Sequence, residues 1–142
     1  MLKDTEELEI VKGNGETILV IEDEEMLVEV TKISLEMNGY SVISAANGIE
    51  GINKFSELQE SISAVVCDIN MPHLDGISAL QSILSLKPDV KIIVVSGSIE
   101  TDLNPELLKL PSAIFLQKPY RAEKLILALQ KLFKNEHSSA SS

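Results

Sequence analysis

Five short apolar runs recur along the chain: Thr17 to Ile21, Val42 to Ala45, Ala64 to Cys67, Lys91 to Val95 and Ala113 to Leu116. They are rich in Ile and Val, and most are apolar at consecutive rather than alternate positions. A strand with one face in water alternates, so this pattern fits parallel strands covered on both faces. Between the runs the period changes to that of a helix. Leu27, Val30, Ser34 and Leu35 mark one helical face, and Ile49, Ile52 and Phe55 a second. Leu80, Ile83 and Leu84 mark a third, and Leu125, Leu129, Leu132 and Phe133 a fourth. Asp23 or Glu24 is placed to cap the first helix and Gly39 to close it, with Asp75 capping the third. Asn104-Pro105 interrupts the stretch from Ile99 to Leu110, where Pro105 reads best as the first turn of a short helix. Such a strand–helix series implies the α/β class, with a parallel sheet, helices on both faces and right-handed crossovers.

The flanks read differently. Residues 1–15 are expected to form an N-terminal linker that ends in the turn-forming Gly13-Asn14-Gly15. Residues 16–135 then form one domain, and the small, polar 136–142 a disordered tail. A chain of 142 residues suffices for one core of ordinary size. Twelve Lys and Arg against twenty-two Asp and Glu give a net charge of -10, which repels a phosphate backbone and argues against direct nucleic-acid contact. The single cysteine forms no internal disulfide, and no Cys/His spacing suggests zinc. Met1 to Glu7 lack the apolar core of a signal peptide, and the apolar runs are too short to cross a bilayer. A cytoplasmic protein with no membrane contact of its own is expected.

Ligands of open parallel sheets bind beyond the carboxyl ends of the strands. Glu22-Asp23-Glu24-Glu25 follow the first run, Asp68 the third, Ser96-Gly97 the fourth, and Lys118-Pro119 the fifth. Four acidic residues in a row repel phosphate and lack the glycines of a phosphate-cradling loop, so nucleotide or flavin binding there is disfavoured. Glu22, Asp23 and Asp68 instead make an oxygen-only cluster suited to a hard divalent cation, Mg2+ above all, which would let the pocket tolerate an incoming phosphoryl group. The Asp68 carboxylate has the chemistry of a nucleophile towards phosphorus. Lys118 and Ser96 would serve the phosphoryl oxygens.

These residues resemble the receiver domain of two-component response regulators, the CheY-like fold. The pieces that match are Ile18 to Glu24, Val65 to Gly76 with its Asp-x-x-Met-Pro-x-x-Asp-Gly, Val94 to Gly97, and Phe115 to Pro119. The separations of Asp23, Asp68, Ser96 and Lys118 (45, 28 and 22 residues) also suit the family, and the likeness runs from about Glu16 to Phe133. The resemblance implies a single doubly wound, five-stranded, flavodoxin-like sheet of order 2-1-3-4-5. It makes Asp68 the phosphoacceptor in a phosphorelay, taking its phosphoryl group from a phosphohistidine. Mg2+ would be held by Asp23, Asp68 and the Asn70 backbone carbonyl, with Glu22 acting through water. Ser96 and Phe115 become the switch pair that couples the site to the face of the fourth helix, fifth strand and fifth helix, a population shift between two packings. The implied partner is a histidine kinase or histidine phosphotransfer protein, with a phosphorylation-dependent homodimer as a further option. Chemistry would be limited to self-phosphorylation and autodephosphorylation of Asp68.

Val11 to Thr17 resembles the lead-in to a receiver at the C-terminal end of a hybrid sensor histidine kinase, and a stand-alone regulator is the other arrangement. No output domain is expected, since few residues follow Phe133. Two other readings compete. One is a Mg2+-dependent aspartyl-phosphate phosphohydrolase of the haloacid-dehalogenase kind; it wants a second acid two positions after its nucleophile, where this chain has Asn70. The other is a receiver-like interaction module that is never phosphorylated, though such modules lose residues that this chain keeps. Departures from the family pattern are Glu22 for the commoner Asp, Tyr120 for Phe, and Gly51 mid-helix, where it costs about 0.5–1 kcal/mol relative to Ala. Cys67 reads as a buried strand residue, His73 as a surface loop residue, His137 as solvated, and Arg121, Lys124, Lys131 and Lys134 as a wet helical face.

Overall fold

The computed structural model describes residues 12–70, 76–97 and 113–141, with side chains to residue 134. The elements in chain order are β1 (Thr17–Ile21), α1 (Glu25–Met37), β2 (Ser41–Ala45), α2 (Gly48–Leu58), β3 (Ile62–Asp68), α3 (Gly76–Leu86), β4 (Lys91–Ser96), β5 (Ile114–Gln117) and α4 (Ala122–Ser141). The helix expected within Ile99 to Leu110 and the Asp75 cap lie outside the described residues.

All five strands are parallel, in the order β2-β1-β3-β4-β5. Both faces of the sheet are covered, which is why its strands read as unbroken apolar runs. Leu19, Ile21, Val65, Cys67, Ile92 and Val94 point to one face, beneath α2 and α3, with Phe55, Leu80 and Ile83 packed on them. Ile18, Val20, Ala64, Val66, Ile93 and Val95 point to the other, beneath α1 and α4, with Leu35, Leu125, Leu129 and Leu132. Neighbouring residues of one strand thus serve opposite cores, as the two-residue strand period requires.

Two helices turn differently from the expected faces. In α1 the buried positions are Thr31 and Leu35, whereas Val30 is 55% exposed. This helix carries two apolar stripes, and Val30 belongs to the outer one, Met26, Val30, Ile33 and Met37, which the sheet leaves open. In α2 Ile49 is exposed, and Gly48, Gly51 and Phe55 face inward. Gly51 is there for close approach: a Cβ on it would stand 2.5 Å from Ile21 Cδ1. The helix-propensity cost expected of this glycine is what lets α2 settle on β1.

Caps also differ. Glu24 is the N-cap of α1 but makes no side-chain cap bond; its backbone N–H donates instead to Glu22 Oε2 at 3.1 Å. Gly39 follows α1 with φ +89°, as expected of a helix stop. Gly13 and Gly15, at the end of the expected linker, donate backbone hydrogen bonds to the Asn38 and Gly39 carbonyls at 2.6 and 2.7 Å. The linker's last residues thus fasten to the end of α1. The C-terminal helix continues to Ser141, into the stretch expected as a disordered tail, where the sequence has no Gly or Pro to stop it.

Gly51→Ala should lower stability in urea unfolding by about 1–3 kcal/mol through overlap with Ile21, more than the roughly 1 kcal/mol of helix propensity it recovers. A neutral or stabilised variant would mean that Ile21 can turn aside.

Candidate functional site

The strand order places β1 and β3 side by side at the centre, so the carboxylates that follow or end them come together. Glu22 is buried just past β1, and Asp68 is the buried last residue of β3. Ser96, the last residue of β4, is fully buried. Lys118 follows β5, with its backbone N–H on the Ser96 carbonyl at 2.7 Å. Its ammonium reaches back across β4 to Asp68 Oδ2 at 2.8 Å and Glu22 Oε1 at 3.2 Å. The other Asp68 oxygen, Oδ1, accepts from the Asn70 backbone N–H at 2.8 Å. Asn70 in turn ties two loops, its Oδ1 accepting from the Gly97 N–H at 2.9 Å.

Packing holds this edge in place. A Cβ on Gly76 would stand 2.5 Å from the Asp68 carbonyl oxygen and 2.6 Å from Ile69 Cα, so α3 begins in backbone contact with the end of β3. Cys67 lies buried beside the site, its Sγ 3.5 Å from the Asp68 carbonyl oxygen, which suits the structural role expected of it.

Charge shapes the site as much as packing does. Burial pushes the Glu22 carboxyl up to about 7; the Glu24 N–H pulls against this, Asp68 adds to it, and Lys118 opposes it. Burial alone would lower Lys118, but its hydrogen bond to Asp68 and the charges of Asp68 and Glu22 outweigh that and raise it. Among the described residues, carboxylate oxygens of Glu22, Asp23 and Asp68 lie within 4.8 Å of one another, with Asp23 exposed and the other two buried. An all-oxygen set with one ligand open to water suits a hard cation that keeps part of its hydration shell. The residues fit Mg2+.

A profile of the response regulator receiver domain matches residues 18–130. The chain belongs to that family. The receiver is 32% identical over 121 residues to the chemotaxis protein CheY of Thermotoga maritima, an alignment that covers 84% of this chain and 99% of that one. It is 31% identical over 120 residues to the sensor kinase CckA of Brucella abortus, covering 84% of this chain but 13% of the kinase. Its structure is similar to one determined for the CheX-CheY-BeF3-Mg+2 complex of Borrelia burgdorferi, with a TM-score of 0.76 and 26% identity over 82% of this chain and 88% of that one. The sheet order is the one the resemblance implied.

The structure thus brings Glu22, Asp23, Asp68, Asn70, Ser96 and Lys118 of the receiver to one edge. Phe115 sits one strand over, partly buried, paired in register with Val94 and packed on the core beneath α2 and α3. His73 lies outside the described residues. Two features escaped the sequence reading. One is the Asn70 side-chain bond to Gly97. The other is Thr31, buried on the inner face of α1 beside Leu35. Its polar hydroxyl gave the sequence reading no sign of an inward-facing position.

A pH dependence follows from Glu22. The folded carboxyl holds its proton to about 7, against an ordinary value of 4.5, so between those limits the folded state binds the extra proton. This stabilisation is complete below the ordinary value and is lost as pH rises through 7. Glu22→Gln removes it, so the variant's stability relative to wild type should grow from about pH 5 to about pH 8 in urea unfolding. A flat difference would mean that Glu22 ionises normally.

Proposed function

We propose that this receiver accepts a phosphoryl group on Asp68 from a phosphohistidine of a histidine kinase or phosphotransfer protein, in a Mg2+-dependent phosphorelay. The observation that carries the reading is the Lys118 ammonium 2.8 Å from a buried Asp68 carboxylate that also lies in the oxygen-only cluster. An Asp68 oxygen attacks phosphorus and the P–N bond breaks; the donor imidazole, carrying a proton on its other ring nitrogen, leaves neutral as an acyl phosphate forms. Lys118 pairs with Asp68 beforehand and then follows the negative charge onto a phosphoryl oxygen. Ser96 supplies its hydroxyl to another. Asp23, Asp68 and the Asn70 carbonyl would hold Mg2+, with Glu22 acting through water. Bound there, the cation supplies positive charge against the phosphoryl oxygens.

Contacts of Ser96 that exist only with the phosphorylated aspartate would favour the second packing of Phe115, and with it the switch face. The chemistry is limited to self-phosphorylation and autodephosphorylation of Asp68. A cytoplasmic location accords with the reading, and among the described residues no helix is long and apolar enough to cross a membrane. The CckA likeness supports a place within a hybrid kinase, and the CheY likeness a stand-alone regulator.

The open stripe of α1 suits the donor. Met26, Val30, Ile33 and Met37 run down the helix from a point beside Asp23, and a helix of the phosphodonor laid along them would bring its histidine to the site. Glu25, Glu29 and Glu36 on the same helix favour a basic flank on that partner.

Intact mass after incubation with acetyl phosphate tests the reading. We expect one labile phosphoryl group with Mg2+, none without it, and none on Asp68→Asn; Lys118→Met should slow uptake roughly a hundredfold. Steady phosphate release from ordinary phosphomonoesters would point to a phosphohydrolase, and no uptake at all to an unphosphorylated module. Met26→Asp with Ile33→Asp should leave acetyl phosphate uptake intact while slowing transfer from a phosphohistidine donor at least roughly tenfold.

A further inference from the structure

Tyr40 follows the Asn38-Gly39 turn that closes α1 and leads into β2, an edge strand, yet it is only 5% exposed. Two pieces from opposite ends of the chain meet its ring. Phe133 of α4 has its ring centroid 6.2 Å from that of Tyr40, tilted by 31°, within the range of a favourable aromatic pair. Gly13 lies against the same ring, where a Cβ would stand 2.6 to 2.8 Å from Cε1, Cδ1 and Cζ. Tyr40 belongs to the core beneath α1 and α4, and Phe133 packs on that core. One buried ring therefore joins the lead-in to β1 with the C-terminal helix.

This lead-in is held by more than the strand ladder. β1 begins at Thr17, opposite Ser41 of β2, and the bond from the Ser41 N–H to the Glu16 carbonyl at 2.9 Å continues that pairing. The bonds of Gly13 and Gly15 to the Asn38 and Gly39 carbonyls fall outside it, on the end of α1. Between them the Asn14 N–H donates to Glu16 Oε1 at 2.7 Å. The backbones here are as close as they can come: a Cβ on Gly39 would stand 2.5 Å from the Gly13 carbonyl oxygen. Gly39 and Gly15 have positive φ, whereas Gly13 does not, so its backbone conformation does not call for glycine. What calls for it is the Tyr40 ring. The sheet and the carboxylate site both lie beyond residue 16 and need none of these contacts to form.

We propose that Gly13 to Glu16 form a strap that couples the chain before residue 12 to helix α4. Seated, the strap holds the Tyr40 ring against Phe133 and steadies α4 around that residue; lifted, it releases both. Such coupling is reciprocal, so a pull on the preceding chain loosens α4, and a displacement of α4 loosens the strap. The inference stands apart from the phosphoacceptor reading, which bears only on whether events at Asp68 are what displace α4.

Amide hydrogen exchange on the full, unphosphorylated chain tests the strap. Gly13→Ala drives a methyl into the Tyr40 ring. Gly15→Pro lifts the strap without touching that ring, since proline has no N–H for Gly39 and cannot take φ +87°. Each variant should speed exchange around Phe133, from Leu129 to Lys134, at least roughly threefold, as for loss of an aromatic contact. Exchange in α2 and α3, on the other face of the sheet, should stay at the wild-type rate. In the other direction, Phe133→Leu should speed exchange of the Gly13 and Gly15 amides by a similar factor. In the Phe133→Leu background, Gly13→Ala should then add nothing further at α4. Wild-type exchange around Phe133 in both strap variants would overturn the proposal. A uniform rise across all helices would do so as well, because it marks general destabilisation, and so would protection of Gly13 and Gly15 that ignores Phe133→Leu.

Discussion

One ammonium between two buried carboxylates sets the terms for this protein. Glu22 and Asp68 are both almost wholly buried at the same edge of the sheet, an arrangement that would repel itself without a counter-charge. Lys118 supplies it, and the strand order explains why a lysine does so. Asp68 ends β3, Lys118 follows β5, and β4 lies between them, so the cation has to span two strand spacings, roughly 10 Å. Only a long side chain does that. The residue it passes over is Ser96, buried at the end of β4 and bonded through its carbonyl to the Lys118 N–H.

The balance at rest leaves the site poised. The buried Glu22 holds its proton more tightly than a carboxyl in water, and Lys118 is held more firmly charged than a free lysine. A cation entering among Glu22, Asp23 and Asp68 would compete with the Glu22 proton and with Lys118 for the same oxygens. That competition is what a phosphoryl acceptor can use, because Lys118 is then available to the new charge. Helix α1 borders the same site, its outer apolar stripe standing open beside Asp23.

Much of this was legible in the residues alone. Consecutive Ile and Val in short runs could come only from strands covered twice, and the position of Asp68, Ser96 and Lys118 at the ends of three such runs put them at one edge before any coordinates were considered. Where the reading of faces went astray, the reason is visible. Helix α1 has apolar residues on two sides, so periodicity could not say that Val30 faces out while Thr31 faces in. In α2, Ile49 looked like a core residue and Gly51 like a defect, because a sequence does not show that Ile21 occupies the space a side chain would need.

The sequence by itself determined the class of fold, the residues at the strand ends and the chemistry they can perform, because strand period, helix period and the acid–base character of side chains are local properties. Tertiary structure alone decided which helix faces meet the sheet, that Gly13 and Gly15 fasten to the end of α1, and that Asn70 bonds Gly97. Those are contacts between segments far apart in the chain. They depend on how closely two backbones approach and which atoms are left without water, quantities that exist only once the chain has packed.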